Sequence, residues 1–121
     1  MWLKFLFVLF FTLKLQATDY ASLLFHGNCT TCHFENKTVS APSMRVIKER
    51  YRSAFAHKPD FVAYMSTWVQ TPDEKTSLMV DAIEKHGLMP ELAYDLETLK
   101  VIASYIYDTD FTKLHVEHKS H

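Results

Sequence analysis

The chain has 121 residues, with 13 lysines and arginines against 14 acidic residues, 48% hydrophobic residues and two cysteines. This length holds one domain with one modest core. The near-neutral charge leaves no electrostatic footprint for nucleic acid, and two cysteines are too few for a disulfide framework.

In chain order, the first element reads as an export signal. Lys4 is a minimal positive region and Phe5 to Leu13 form an apolar run of nine residues, short of the about 20 that a bilayer span requires. Leu15-Gln16-Ala17 puts a small residue at the cleavage position, which predicts residues 1–17 as a signal peptide and places Thr18 onward in the periplasm. An uncleaved N-terminal anchor is the alternative reading of the same run. Cleavage leaves 104 residues with 11 basic and 14 acidic side chains, a formal charge of −3 with histidine neutral. No membrane span is expected in the remainder.

The remainder shows helical rather than alternating periodicity. Thr18 is placed as an N-cap, and Ala21, Leu24, Phe25 and Cys29 recur along one helix face, with Gly27 and Asn28 loosening its end. A second helix is predicted after Pro42 through Met44, Val46, Ile47 and Tyr51. A third runs from Asp60 through Phe61, Tyr64, Met65 and Trp68, with Pro59 as the break between them. Thr71, Pro72 and Glu74 form a capping-box pattern that predicts a fourth helix, ending at Gly87 with Leu78, Met79, Ala82, Ile83 and His86 on one face. A last helix is expected from Asp95 to Asp108, with Leu96, Leu99, Ala103 and Ile106 facing the core. The domain is therefore drawn over residues 18–110, and 111–121 as a polar, histidine-bearing flexible tail.

Between the first two helices stands Cys29-Thr30-Thr31-Cys32-His33. Two thiols three apart, followed at once by a histidine, are the arrangement for covalent c-type haem attachment: both thiols join vinyl groups of the porphyrin and the histidine sits under the iron as its proximal ligand. Cys-x-x-Cys alone also serves thiol redox enzymes and half of a zinc site. In an exported chain with no other cysteine, the added His33 selects haem c, which also supplies the staple that a small domain without disulfides needs. A thiol-disulfide oxidoreductase is the competing reading, but it calls for strands and for a motif at a helix start.

The arrangement as a whole resembles the class I cytochrome c family over nearly the full length after the signal. Phe25 stands four before the first motif cysteine, where the family keeps an aromatic residue, and Ala21 stands where it usually has glycine at the helix crossing. Tyr105-Ile106 is similar to the aromatic-aliphatic pair that packs across the first helix. The resemblance implies an all-α fold wrapped around one haem, with the N- and C-terminal helices crossing. It implies that the Pro42 carbonyl accepts the second ring proton of His33, and that Met89, between Gly87 and Pro90, is the distal iron ligand. The stretch from Arg45 to Lys85 matches only loosely.

Met44 is the rival thioether, and His57 or His86 would give bis-histidine ligation instead. Trp68 or Tyr51 is a candidate for bonding a haem propionate. The basic cluster of Arg45, Lys48, Arg50, Arg52 and Lys58 is either a solvated face or a docking surface for an acidic partner. His115, His118 and His121 belong to the tail.

Iron held by His33 and Met89 has no open position for substrate, so the expected function is one-electron transfer between redox partner proteins by transient docking, as a monomer and without catalysis. A role as the haem subunit of a larger oxidoreductase is an alternative. A haem-based ligand sensor or peroxidase would need Met89 to be absent or displaceable.

Overall fold

A computed structural model describes residues 19–113, which fold as helices with no strand among them. In order they are α1 over residues 19–28, α2 Met44–Ala54, α3 Lys58–Gln70, α4 Val80–His86 and α5 Leu96–Asp108, with a 3-10 turn at Glu74–Thr76. The predicted signal peptide and cleavage site, the expected cap Thr18, and His115, His118 and His121 lie outside the described residues. None of the described helices is long and apolar enough to cross a membrane.

The caps explain where the helices begin. Ser43 caps α2, its hydroxyl accepting from the Val46 amide at 3.3 Å, and Asp95 caps α5, its carboxylate accepting from the Thr98 amide at 3.0 Å. Each satisfies an amide that the first helical turn leaves without a partner. Pro59 falls inside the first turn of α3 rather than marking a break before it. A proline there gives up no helical hydrogen bond, so the helix starts at Lys58, two residues earlier than the sequence pattern suggests.

The fourth helix departs more from expectation. Thr71 ends α3, its amide donating to Thr67 O at 3.3 Å, and does not open a new helix. The cap falls to Asp73, whose carboxylate accepts from the Lys75 amide at 2.9 Å and starts only the 3-10 turn. Ser77 Oγ then accepts from the Met79 amide, and α4 runs for seven residues from Val80. Its end is as predicted: Gly87 takes φ 86°, a backbone region that favours glycine, and donates to Ile83 O at 2.8 Å.

The core forms where α2, α3 and α5 turn apolar faces inward, α3 packing most extensively on α5. Phe25 and Phe61 are fully buried, and Met44, Tyr51, Met65, Ile102, Ala103 and Ile106 fill the space between them. Burying one such large side chain is worth roughly 1.5–3 kcal/mol. Aromatic edges order the packing: Phe25 meets Tyr105 at 5.1 Å between centroids, which joins α1 to α5, and Phe61 meets Tyr51 at 5.7 Å and Tyr107 at 5.2 Å. Ala21 faces α5 across a groove lined by Val101, Ser104 and Tyr105. The core reaches past Asp110, where the sequence pattern ends the domain: Phe111 is 2% exposed and packs on Phe25 at 5.6 Å.

Polar links then fix helix to helix. Arg50 grips Asp81 through two parallel bonds of 2.9 and 3.0 Å and also donates to Leu78 O, tying α2 to α4. The Arg50 guanidinium holds the Asp81 carboxyl below the usual carboxylate range. A carboxyl with a depressed folded pKa stabilises the fold above its unfolded pKa, and the contribution is lost as pH falls through the folded value. Asp81→Asn should therefore lower the melting temperature slightly near neutral pH. The difference from wild type should close below the carboxylate range, and shrink in high salt because both side chains are exposed, as a pH series of thermal melts will show.

Candidate functional site

The two cysteines sit where α1 gives way to a tight turn. Cys29 N donates to Phe25 O at 2.9 Å as a last helical bond, and His33 N closes back onto Cys29 O at 2.9 Å, so residues 29–33 make one further turn. Two side chains bond back onto the end of the helix: Asn28 Nδ2 donates to Leu24 O at 2.7 Å, and Thr30 Oγ1 donates at 2.8 Å to His26 O, one of the last carbonyls that the helix leaves open. The turn is thereby held without help from its own thiols. Both are free: Cys29 is half-buried against the core and Cys32 is exposed.

His33 is oriented by one bond. Its Nδ1 lies 2.8 Å from Pro42 O. A carbonyl can only accept, so Nδ1 carries a ring proton, and in the neutral ring Nε2 is the nitrogen with the lone pair for another partner. Histidines that ligate metals are oriented by a bond of this kind on the other ring nitrogen.

Pro42 is held in turn by the start of α2. The Met44 and Arg45 amides, among those that a helix start leaves unpaired, donate to Phe34 O at 2.9 Å and Glu35 O at 3.0 Å. Ser43, 2% exposed, caps the helix and donates its own amide to Thr38 Oγ1 at 3.1 Å. The loop leaving His33 is thus strapped across the N-terminus of α2. On the α1 side, His26 Nδ1 lies 2.8 Å from Ser22 O while its Nε2 faces the buried Glu35 Oε1 at 3.8 Å.

Among the described residues four methionines compete for a ligand role. Met44, Met65 and Met79 are buried; Met89 is only half-buried, in the irregular stretch between α4 and α5, just after the Gly87 cap and before Pro90. His57 is the exposed residue that precedes α3, and His86 ends α4.

Of the two propionate candidates, Trp68 has a hydrogen bond within the chain and Tyr51 lies in the core. The indole of Trp68 donates to Asp73 O at 3.0 Å and closes the turn after α3. Tyr51 is buried between Phe61 and Tyr64, and burial pushes its hydroxyl pKa well above the ordinary tyrosine range.

The basic cluster is likewise used within the molecule. Arg45 pairs with Glu49, Arg50 with Asp81 and Lys58 with Asp108, while Lys48 donates to Thr109 O and Arg52 to Ala56 O, the latter lying over the Tyr107 ring. Arg50, Lys58, Lys48 and the ring contact of Arg52 thus link α2 and α3 to distant elements, a role that their sequence clustering does not reveal, while Arg45 pairs within α2.

A further connection escaped sequence reasoning. Tyr94 OH donates to Asn28 Oδ1 at 2.6 Å, linking residues 66 positions apart. The only sequence signal for it is a lone tyrosine just before the Asp95 cap.

Among the described residues no three His, Cys, Asp or Glu side chains gather as a metal-binding group. A haem iron asks less of the protein, since the porphyrin supplies four of its ligands: His33, oriented by its Nδ1 bond, fits as an iron ligand, and the two unpaired thiols beside it fit the covalent attachment of the porphyrin. No family model, curated protein or solved structure matches this chain.

The strap can be tested through its cap. Ser43→Ala removes a buried acceptor for the Val46 amide and should cost about 1 kcal/mol, read as a lower denaturant midpoint at an unchanged slope.

Proposed function

We propose that this chain is an exported monohaem c-type cytochrome of class I that carries single electrons between redox partner proteins. One observation carries the reading: the Cys29–His33 turn presents two free thiols beside a histidine whose Nδ1 is committed to Pro42 O. The meeting of α1 and α5 at Phe25 and Tyr105 supports the class I arrangement, with its terminal helices crossing.

In this reading Cys29 and Cys32 would hold the haem by thioether bonds to its two vinyl groups, with no atom lost from either partner. His33 Nε2 and the Met89 thioether would supply the iron's two protein ligands. When bound, haem would supply a one-electron iron couple, whose potential a methionine ligand would raise. The protein's part is to fix the imidazole by the Pro42 bond, to exclude water with the aromatic core, and to leave no ligand position open to substrate. Residues 1–17 carry the chain to the periplasm, where haem is attached.

The thiol-disulfide alternative is disfavoured by the cysteines themselves. A reactive dithiol needs a thiol with a lowered pKa, typically at a helix N-terminus. Cys29 instead follows the end of a helix, and burial pushes its thiol up to about 11.

Produced with haem-maturation machinery, the protein should give a reversible one-electron potentiometric titration and a c-type reduced spectrum, and the reduced form should not bind carbon monoxide. Met89→Ala should lower the potential and admit carbon monoxide. A chain that takes up no haem would overturn the proposal, and a Met89→Ala variant identical to wild type would remove Met89 from it.

A further inference from the structure

The stretch from Leu88 to Asp95 has no regular secondary structure, yet it holds Met89. Its two ends are anchored: Gly87 closes α4 with its bond to Ile83 O, and Asp95 opens α5 with its bonds to Thr98. Between them the backbone passes through Ala93 at φ 56°, the one non-glycine residue with positive φ among those described. Alanine rarely adopts that conformation, and it persists where neighbouring contacts fix the chain.

The contact beside it is the bond from Tyr94 OH to Asn28 Oδ1, 2.6 Å. Asn28 is well set to receive it. Its Nδ2 donates to Leu24 O at 2.7 Å, which orients the amide so that Oδ1, the acceptor, faces the tyrosine. Both residues are half-buried, where a hydrogen bond is less exposed to competition from water. Asn28 immediately precedes Cys29, and Tyr94 lies five residues after Met89, so one bond joins the attachment turn to the distal segment.

We propose that Tyr94 is a positioning residue: its bond to Asn28 holds the Met89 segment against the motif turn and keeps the thioether in place against competing ligands. This inference rests on the reading of His33 and Met89 as iron ligands.

The test uses oxidised holoprotein titrated with imidazole, which competes with methionine for iron, followed by loss of the sulfur-to-iron charge-transfer band. A net hydrogen bond of ordinary strength corresponds to a factor of about three to ten in such an equilibrium. Tyr94→Phe, which keeps the ring and loses only the hydroxyl, should bind imidazole about threefold to tenfold more tightly than wild type. Asn28→Ala should have a similar effect, and adding Tyr94→Phe to it should bring little further change, because the partner is already gone.

A Tyr94→Phe protein with a lower melting temperature but wild-type imidazole affinity would overturn the inference, since a merely structural role moves the first and not the second. Equal effects of Tyr94→Phe with and without Asn28 would also overturn it. A wild-type protein that carries haem but lacks the charge-transfer band would remove Met89 as ligand and this inference with it, leaving haem attachment intact. A chain that takes up no haem would overturn both.

Discussion

A helix start has backbone amides that nothing inside the helix can satisfy, and the placement of the motif depends on how α2 meets that requirement. The Met44 and Arg45 amides take the carbonyls of Phe34 and Glu35, and the Ser43 hydroxyl takes the Val46 amide. The segment leaving His33 is therefore strapped to α2, and Pro42, just ahead of the cap, presents its carbonyl to His33 Nδ1. The imidazole tautomer follows from this geometry, and so does the free lone pair on Nε2 on which the proposed function rests.

Around that strap the helices are held by contacts of two kinds. The buried aromatics Phe25, Phe61 and Phe111, with the half-buried Tyr105 and Tyr107, gather α1, α3, α5 and the residue past α5 into one core. Surface cations add directional links: Arg50 joins α2 to the start of α4, Lys58 joins α3 to the end of α5, and Lys48 reaches the carbonyl of Thr109. Such exposed pairs add little stability one by one. Their effect is to set the relative placement of helices that carry the motif turn at one end and the Met89 segment at the other.

What was legible in the sequence was local chemistry. Gly87 announces the end of α4, because a cap acts on its own backbone neighbours, and the apolar face of Leu96, Leu99, Ala103 and Ile106 announces α5. The motif is legible because three reactive side chains within five residues have few other uses. The start of α4 was misread at Thr71, where a capping pattern was overridden by the continuation of α3, which took the Thr71 amide for itself. Phe111 looked like tail among polar neighbours, and only the packing of Phe25 reveals it as core. The links made by Arg50, Lys58 and Lys48 and the Asn28–Tyr94 bond depend on partners 28 to 66 residues away, and spacing within a helix carries no trace of them.

The central claim, that the turn at Cys29–His33 holds one covalent haem, is tested most directly by peptide mapping of the purified protein made with haem-maturation machinery. Tryptic cleavage at Lys37 isolates the motif from every other histidine and methionine of the folded domain except His26. The account predicts that haem absorbance travels with the single peptide ending at Lys37, with one haem added to its mass and neither Cys29 nor Cys32 open to alkylation. Haem that elutes free of peptide, or a motif peptide with two alkylated thiols, would contradict it.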